Sequence, residues 1–126
     1  MRLEEAADLT VADVTHSKAK ALPADATVAD LLGWFSESTS RRMALLADDG
    51  RYVASLVPAD LAGADPQRAA VELARDWPTV APDEPAKRGE ELALRTDARR
   101  VPVVDHDGTL LGIVAVTTDL QGFCGT

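Results

Sequence analysis

Two stretches of the chain, RRMALLADDGRYVASLVPADL at residues 41–61 and RRVPVVDHDGTLLGIVAVTTDL at residues 99–120, follow one pattern. Each opens on an arginine pair, runs through apolar residues to Asp-Gly, continues in a second apolar run and closes on Asp-Leu. A repeat constrains a fold more than local propensity does, because both copies must form the same supersecondary unit. The copies match at an offset of 58 from Leu22 over Val80, through Asp25 over Asp83 and Arg41-Arg42 over Arg99-Arg100, to Asp49-Gly50 over Asp107-Gly108. Asp60-Leu61 matches Asp119-Leu120 only at an offset of 59, so the second copy gains one residue. The spacing places it in the second strand of the hairpin, as a β-bulge.

Each copy then reads as strand, helix, strand, turn, strand. The first strands are Ala19–Leu22 and Thr79–Ala81. In copy one Thr27 is an N-cap with Asp30 three residues on, a capping-box pattern, and Val28, Leu31, Leu32 and Phe35 share a helical face. In copy two Pro85 opens the helix, whose inner face is thinner: Ala86, Gly89, Leu92 and Ala93. Asp-Gly between apolar runs is a hairpin signal. It pairs Met43–Ala47 with Tyr52–Val57, and Val101–Val104 with Leu110–Val116. A further helix is expected near Gln67–Arg75, ended by Trp77-Pro78, and another from Leu3 to Val14, packed on the body. The divisions are therefore 1–15, an N-terminal helical segment; 16–76, the first repeat with its connecting helix; and 77–126, the second repeat.

A chain of 126 residues is long enough to bury a core without staples. Its net charge of −8 argues against non-specific binding to nucleic acid or anionic membrane. One cysteine, Cys124, allows no intrachain disulfide, which suits a reducing compartment. The acidic start MRLEEAADLT lacks a signal-peptide pattern, and no apolar run has membrane-spanning length. A soluble, cytoplasmic protein is expected.

The stretches ARRVPVVDHDGTLLGIV and LPADATVADLLGWF, repeated in order at fixed spacing, resemble the CBS domain, named for cystathionine β-synthase. Two such domains in tandem form a Bateman module, and the resemblance covers roughly residues 10 to 122. It implies an α+β fold of two β-α-β-β-α repeats packed sheet to sheet with pseudo-twofold symmetry. It further implies a non-catalytic regulatory module, often a homodimer, that binds an adenosine-containing ligand such as AMP, ATP or S-adenosylmethionine between the repeats. No cofactor is required, and the regulated partner is a separate protein. The runner-up is a degenerate pair serving only as a dimerisation or docking scaffold.

The family ends its third strand in Thr or Ser, two residues, then an Asp that binds a ribose diol. An ionised carboxylate only accepts hydrogen bonds, and its two oxygens fit two adjacent hydroxyls. The matching carboxylates are Asp60 and Asp119, but Val57 and Val116 stand where the hydroxyl residue belongs. Thr117 and Thr118 supply hydroxyls near Asp119, whereas copy one offers only Pro58 and Ala59. The competing role for either Asp is a helix-start cap that needs no ligand. Arg42 and Arg100, with Arg41 and Arg99, enter the hairpins; an arginine facing the ligand would hold phosphate bidentately, and otherwise it is a solvated charge or ion-pair partner. Val101 and Pro102, with Met43 and Ala44, line an adenine pocket by family analogy or are plain core. Trp34 either closes the core or marks a dimer interface, and Trp77 reads as a packing plug in the connection.

Asp105-His106-Asp107 suggests a metal loop, but Gly108 comes too early and no Glu closes it. There is no Cys-x-x-Cys, phosphate-loop or GxSxG motif, and no combination of nucleophile, base and oxyanion donors. Neither a metal site nor an enzyme is expected.

Overall fold

The protein is described from a computed structural model covering residues 9–16, 20–38, 41–96 and 98–116, with the backbone of 123–124. It divides into two compact units. Residues 21–76 form a central unit; residues 1–20 and 77–126 together form a split unit.

In the central unit, β1 (Ala21–Pro23) runs parallel to β2 (Ala44–Asp48), which pairs antiparallel with β3 (Arg51–Leu56) in the order β1-β2-β3. The helix here (Val28–Ser36) is α2, following a short N-terminal α1 (Val11–Val14). Thr27 caps α2 as its sequence predicts. The Asp30 N–H donates to Thr27 Oγ1 at 3.2 Å, and the Thr27 N–H donates to Asp30 Oδ2 at 3.0 Å. Val28 and Leu31 pack with Ala44, Leu46, Ala54, Leu56 and Leu61 in one buried cluster, against which Trp34 and Phe35 lean. Leu32, expected on the inner face, is 44% exposed. The apolar stripe runs through Leu31, Trp34 and Phe35, and Leu32 falls one position outside it.

The segment read as a helix at Gln67–Arg75 is one 3₁₀ turn, Ala70–Leu73. Its upstream carbonyls are engaged elsewhere: Pro66 O and Arg68 O accept the N–H groups of Ala29 and Val28. These are donors that a helix start leaves without intrahelical partners. Ala70 N–H donates in turn to Ala26 O.

In the split unit, α3 (Ala86–Leu94) packs on β4 (Arg100–Val104) and β5 (Leu110–Val116), and β5 pairs with β6 (Phe123–Cys124). Pro85 is the residue before the first turn of α3 and not within it. Helix is described only over Val11–Val14 of the predicted Leu3–Val14, and Leu3 itself lies outside the described residues. This segment repeats the hydrogen bonding of residues 68–73 on the other copy. Val11 N–H donates to Glu84 O and Ala86 N–H to Leu9 O, where the central unit has Ala70 to Ala26 and Val28 to Arg68. Val11 and Val14 are fully buried with Val80, Ala86, Val101, Val103 and Val114. Each copy is thus completed by a segment of the same kind, one following its hairpin in sequence and the other preceding both copies.

The hairpins account for the repeat's spacing. Asp49 and Gly50, at φ 51° and 82°, form a two-residue turn with both residues left-handed. In the split unit Asp105 N–H donates to Thr109 O, which leaves the three-residue turn His106-Asp107-Gly108 with Gly108 at φ 94°. A bulge does occur in the second strand, but in both copies: the register breaks at Val53 and at Leu111, 58 positions apart. It therefore adds nothing to copy two. Leu22 pairs with Leu46, and Val80 bridges Val103, so copy two is one residue shorter between helix and strand and regains that residue in the turn. From β3 to β5 the offset stays 58, and the change to 59 lies past Val116, outside the described residues.

Candidate functional site

The described candidate ligand residues lie where the first strand of each hairpin begins and just past the end of the second strand of the central one. In the split unit Arg100 lies opposite Ala115, and Val116 N–H donates to Arg99 O at 3.1 Å. Arg99 adopts φ 55°, a left-handed conformation that a non-glycine residue adopts at a cost of roughly 1–2 kcal/mol. Neighbouring groups hold the next residue in place. Arg100 N–H donates to Thr96 Oγ1 at 3.0 Å, and the Trp77 indole N–H donates to Arg100 O at 3.1 Å. Trp77 thereby ties the connection to the strand start. The Arg100 guanidinium reaches Ala98 O at 3.2 Å and is half-buried. The result is a locally basic strand end in a chain of net charge −8. Thr117, Thr118 and Asp119 follow directly on Val116 and lie outside the described residues. Val101 is a core residue beside Val14 and Val80. Pro102 is buried and pairs with Ile113.

In the central unit the corresponding arginines differ. Arg41 stacks over the Trp34 ring at 4.6 Å, donates to Trp34 O at 2.7 Å and pairs with Glu37 at 2.9 Å. Arg42 is exposed, and Met43 and Ala44 are buried. Trp34 meets Phe35 edge-on at 5.2 Å between ring centroids, which places it at the margin of the core cluster.

Both Asp60 oxygens are engaged within the unit. Val57 N–H donates to Oδ2 at 2.8 Å, and Arg75 Nε lies 2.8 Å from Oδ1. The carboxylate is only 7% exposed. The Val57 contact belongs to a device this chain uses repeatedly, a carboxylate reaching back to the backbone N–H three residues earlier. Asp13 does so to Thr10, Asp30 to Thr27 and Glu84 to Ala81. The sequence signal for that cap is the acidic residue itself in the first turn. Arg75, fifteen residues downstream, carries no signal in the sequence.

The acidic turn at Asp105–Asp107 is explained by its own backbone. Asp105 Oδ1 accepts from Asp107 N–H and Thr109 N–H, and Asp107 Oδ1 accepts from the Thr109 hydroxyl at 2.7 Å. Among the described residues, no group of three or more His, Cys, Asp or Glu is arranged to hold a metal ion. No described helix is long and apolar enough to cross a membrane. A shallow groove of about 560 Å³ runs along β1 and α2 of the central unit, floored by Leu22, Ala26 and Trp34 and rimmed by Asp25, Asp30 and Glu37.

A family model for the CBS domain matches residues 70–118. No protein of curated function matches the chain. Among solved structures, the cystathionine β-synthase pair domain of a putative Mg2+ transporter from Shewanella oneidensis is 20% identical, with a TM-score of 0.75 over 84% of this chain and 64% of that one. The cytosolic domain of the Mg2+ channel MgtE, in complex with ATP, is 25% identical, with a TM-score of 0.68 over 81% of this chain and 44% of that one. The chain thus spans less than two thirds of the length of either. The CBS-pair protein CBSX2, known from Arabidopsis thaliana and solved in complex with AMP, is 25% identical, with a TM-score of 0.69 over 82% of this chain and 87% of that one. The chain thus carries a CBS-domain match over residues 70–118 and has the α+β fold of CBS-pair structures.

Proposed function

We propose that this chain is a regulatory module that binds an adenosine-containing ligand of the AMP, ATP or S-adenosylmethionine type and modulates a separate protein, as a cytoplasmic homodimer without catalytic activity of its own. The observation that carries the reading is the basic strand end of the split unit. There Arg99 and Arg100 stand beside Ala115 and Val116, from which Thr117, Thr118 and Asp119 continue. A guanidinium pair suits phosphate; a carboxylate with neighbouring hydroxyls suits a ribose. Relatives solved with ATP and with AMP support the ligand class. Signalling then follows from differential binding: a ligand that prefers one arrangement of the module shifts its population toward it.

A thermal-shift screen against AMP, ADP, ATP and S-adenosylmethionine, followed by calorimetry, tests this. A ligand bound only by the folded state raises the melting temperature, by the equivalent of about 2.7 kcal/mol at a hundredfold excess over Kd. The expected result is a saturable shift that Asp119→Asn abolishes. No shift with any of the four would favour the second reading, a docking scaffold, which the Asp60–Arg75 pair and the groove beside Trp34 support.

A further inference from the structure

We infer that the central unit is closed to nucleotide by its own Arg75, so that the chain takes one ligand and not two. This rests on the reading above. A strand-end carboxylate can hold a ribose diol only if the diol can reach its oxygens. Access to Asp60 is blocked: its side chain is only 7% exposed, Oδ2 takes the Val57 N–H at 2.8 Å, and the Arg75 guanidinium sits on Oδ1 at 2.8 Å. The first contact is a backbone cap that a ligand leaves in place. The second is the bolt, a charged donor occupying the position of a neutral hydroxyl donor. It belongs to the same chain, at a high effective concentration that a dissolved ligand must compete with.

The surroundings agree. Between Val57 and Asp60 stand Pro58 and Ala59, which bring no polar side chain, and Pro58 also lacks an N–H. The turn that follows, Pro58–Leu61, is a four-residue 3₁₀ helix, too short to act as a phosphate site. Asp60 N–H is spent on Val57 O at 3.0 Å. With phosphate and hydroxyl partners both missing, Arg75 takes the ligand's place at a carboxylate that would otherwise be buried with one oxygen unsatisfied. The Arg75 side chain itself is 53% exposed, so removing it leaves the fold's core untouched.

The test is binding stoichiometry with AMP and with ATP, by calorimetry, on the full chain and on Asp60→Asn, Arg75→Ala, Arg75→Gln and the Arg75→Ala/Asp60→Asn pair. The expected result is one equivalent for the wild type and Asp60→Asn, and a second, weaker equivalent for both Arg75 variants that the double variant loses. If the wild type binds nothing but Arg75→Ala binds one equivalent through Asp60, the bolt stands and the reading of the split unit falls. Two equivalents in the wild type, one of them lost in Asp60→Asn, would overturn the inference. So would Arg75 variants that melt like the wild type and match its stoichiometry.

Discussion

The N-terminal segment should contribute to stability out of proportion to its length. Val11 and Val14 are both fully buried in the split unit's core, although four residues of α1 form the whole helix there. Truncating a buried valine to alanine removes two methyl groups, each worth about 0.8 kcal/mol in transfer and somewhat more when the cavity stays open. Val11→Ala/Val14→Ala should therefore cost about 3 kcal/mol. For 126 residues the whole stability is on the order of 6–19 kcal/mol, so the loss should lower Tm by roughly 10 °C. The protein supplies its own reporters, because its two tryptophans fall one in each unit, Trp77 in the split unit and Trp34 in the central one. In a Trp34→Phe background the urea transition followed by fluorescence reads Trp77 alone. The expected outcome is a lower midpoint with an unchanged slope. A double variant within about 0.5 kcal/mol of its parent, the ordinary range for surface substitutions, would mean that the segment decorates the unit without completing it.

Gly112→Ala tests the same docking from the other side. A Cβ there would lie 2.6 Å from His16 O and 2.8 Å from Thr15 Cγ2, so the strand edge must part from the segment. A loss of about 1–3 kcal/mol is expected, with faster hydrogen exchange at the His16 amide, whose N–H now donates to Ile113 O at 2.7 Å; wild-type melting would refute it. Tyr52 gives a pH dependence. Burial raises its hydroxyl pKa above the free value, and the hydrogen bond with Ser55 pulls it partly back. Its contribution is therefore complete below about pH 10 and is lost as pH rises through the folded value, because only the unfolded chain then releases the proton. Tyr52 is the chain's one tyrosine, so its phenolate absorbance titrates unmixed; a native midpoint at or below that of the unfolded chain would overturn the assignment.

What could be read from residues alone was what repeats locally. The Thr27–Asp30 cap, both Asp-Gly turns and the paired strands are each written within a few positions. The permuted completion was not legible, because LTVADV at 9–14 and RAAVEL at 68–73 share a role and not a sequence. The docking is made by backbone N–H and carbonyl groups that any residue carries. For the same reason 67–75 carried a helical apolar spacing while its carbonyls were already committed to the start of α2. The site divided in the same way. The acidic candidates were visible, but whether Asp60 is available depends on Arg75, and nothing in the intervening residues announces that pair.

The split unit also has a history in time. Residues 21–76 leave the ribosome as one uninterrupted run, so the strands and helix of the central unit are all present once residue 76 has emerged. Residues 9–16 are synthesised before them, yet among the described residues every backbone partner they use outside their own segment, from Pro82 to Ile113, is made afterwards. At roughly 5–20 residues per second, the segment waits on the order of 5–20 s with Val11 and Val14 uncovered. The first residues of this fold to be translated are among the last to find their place.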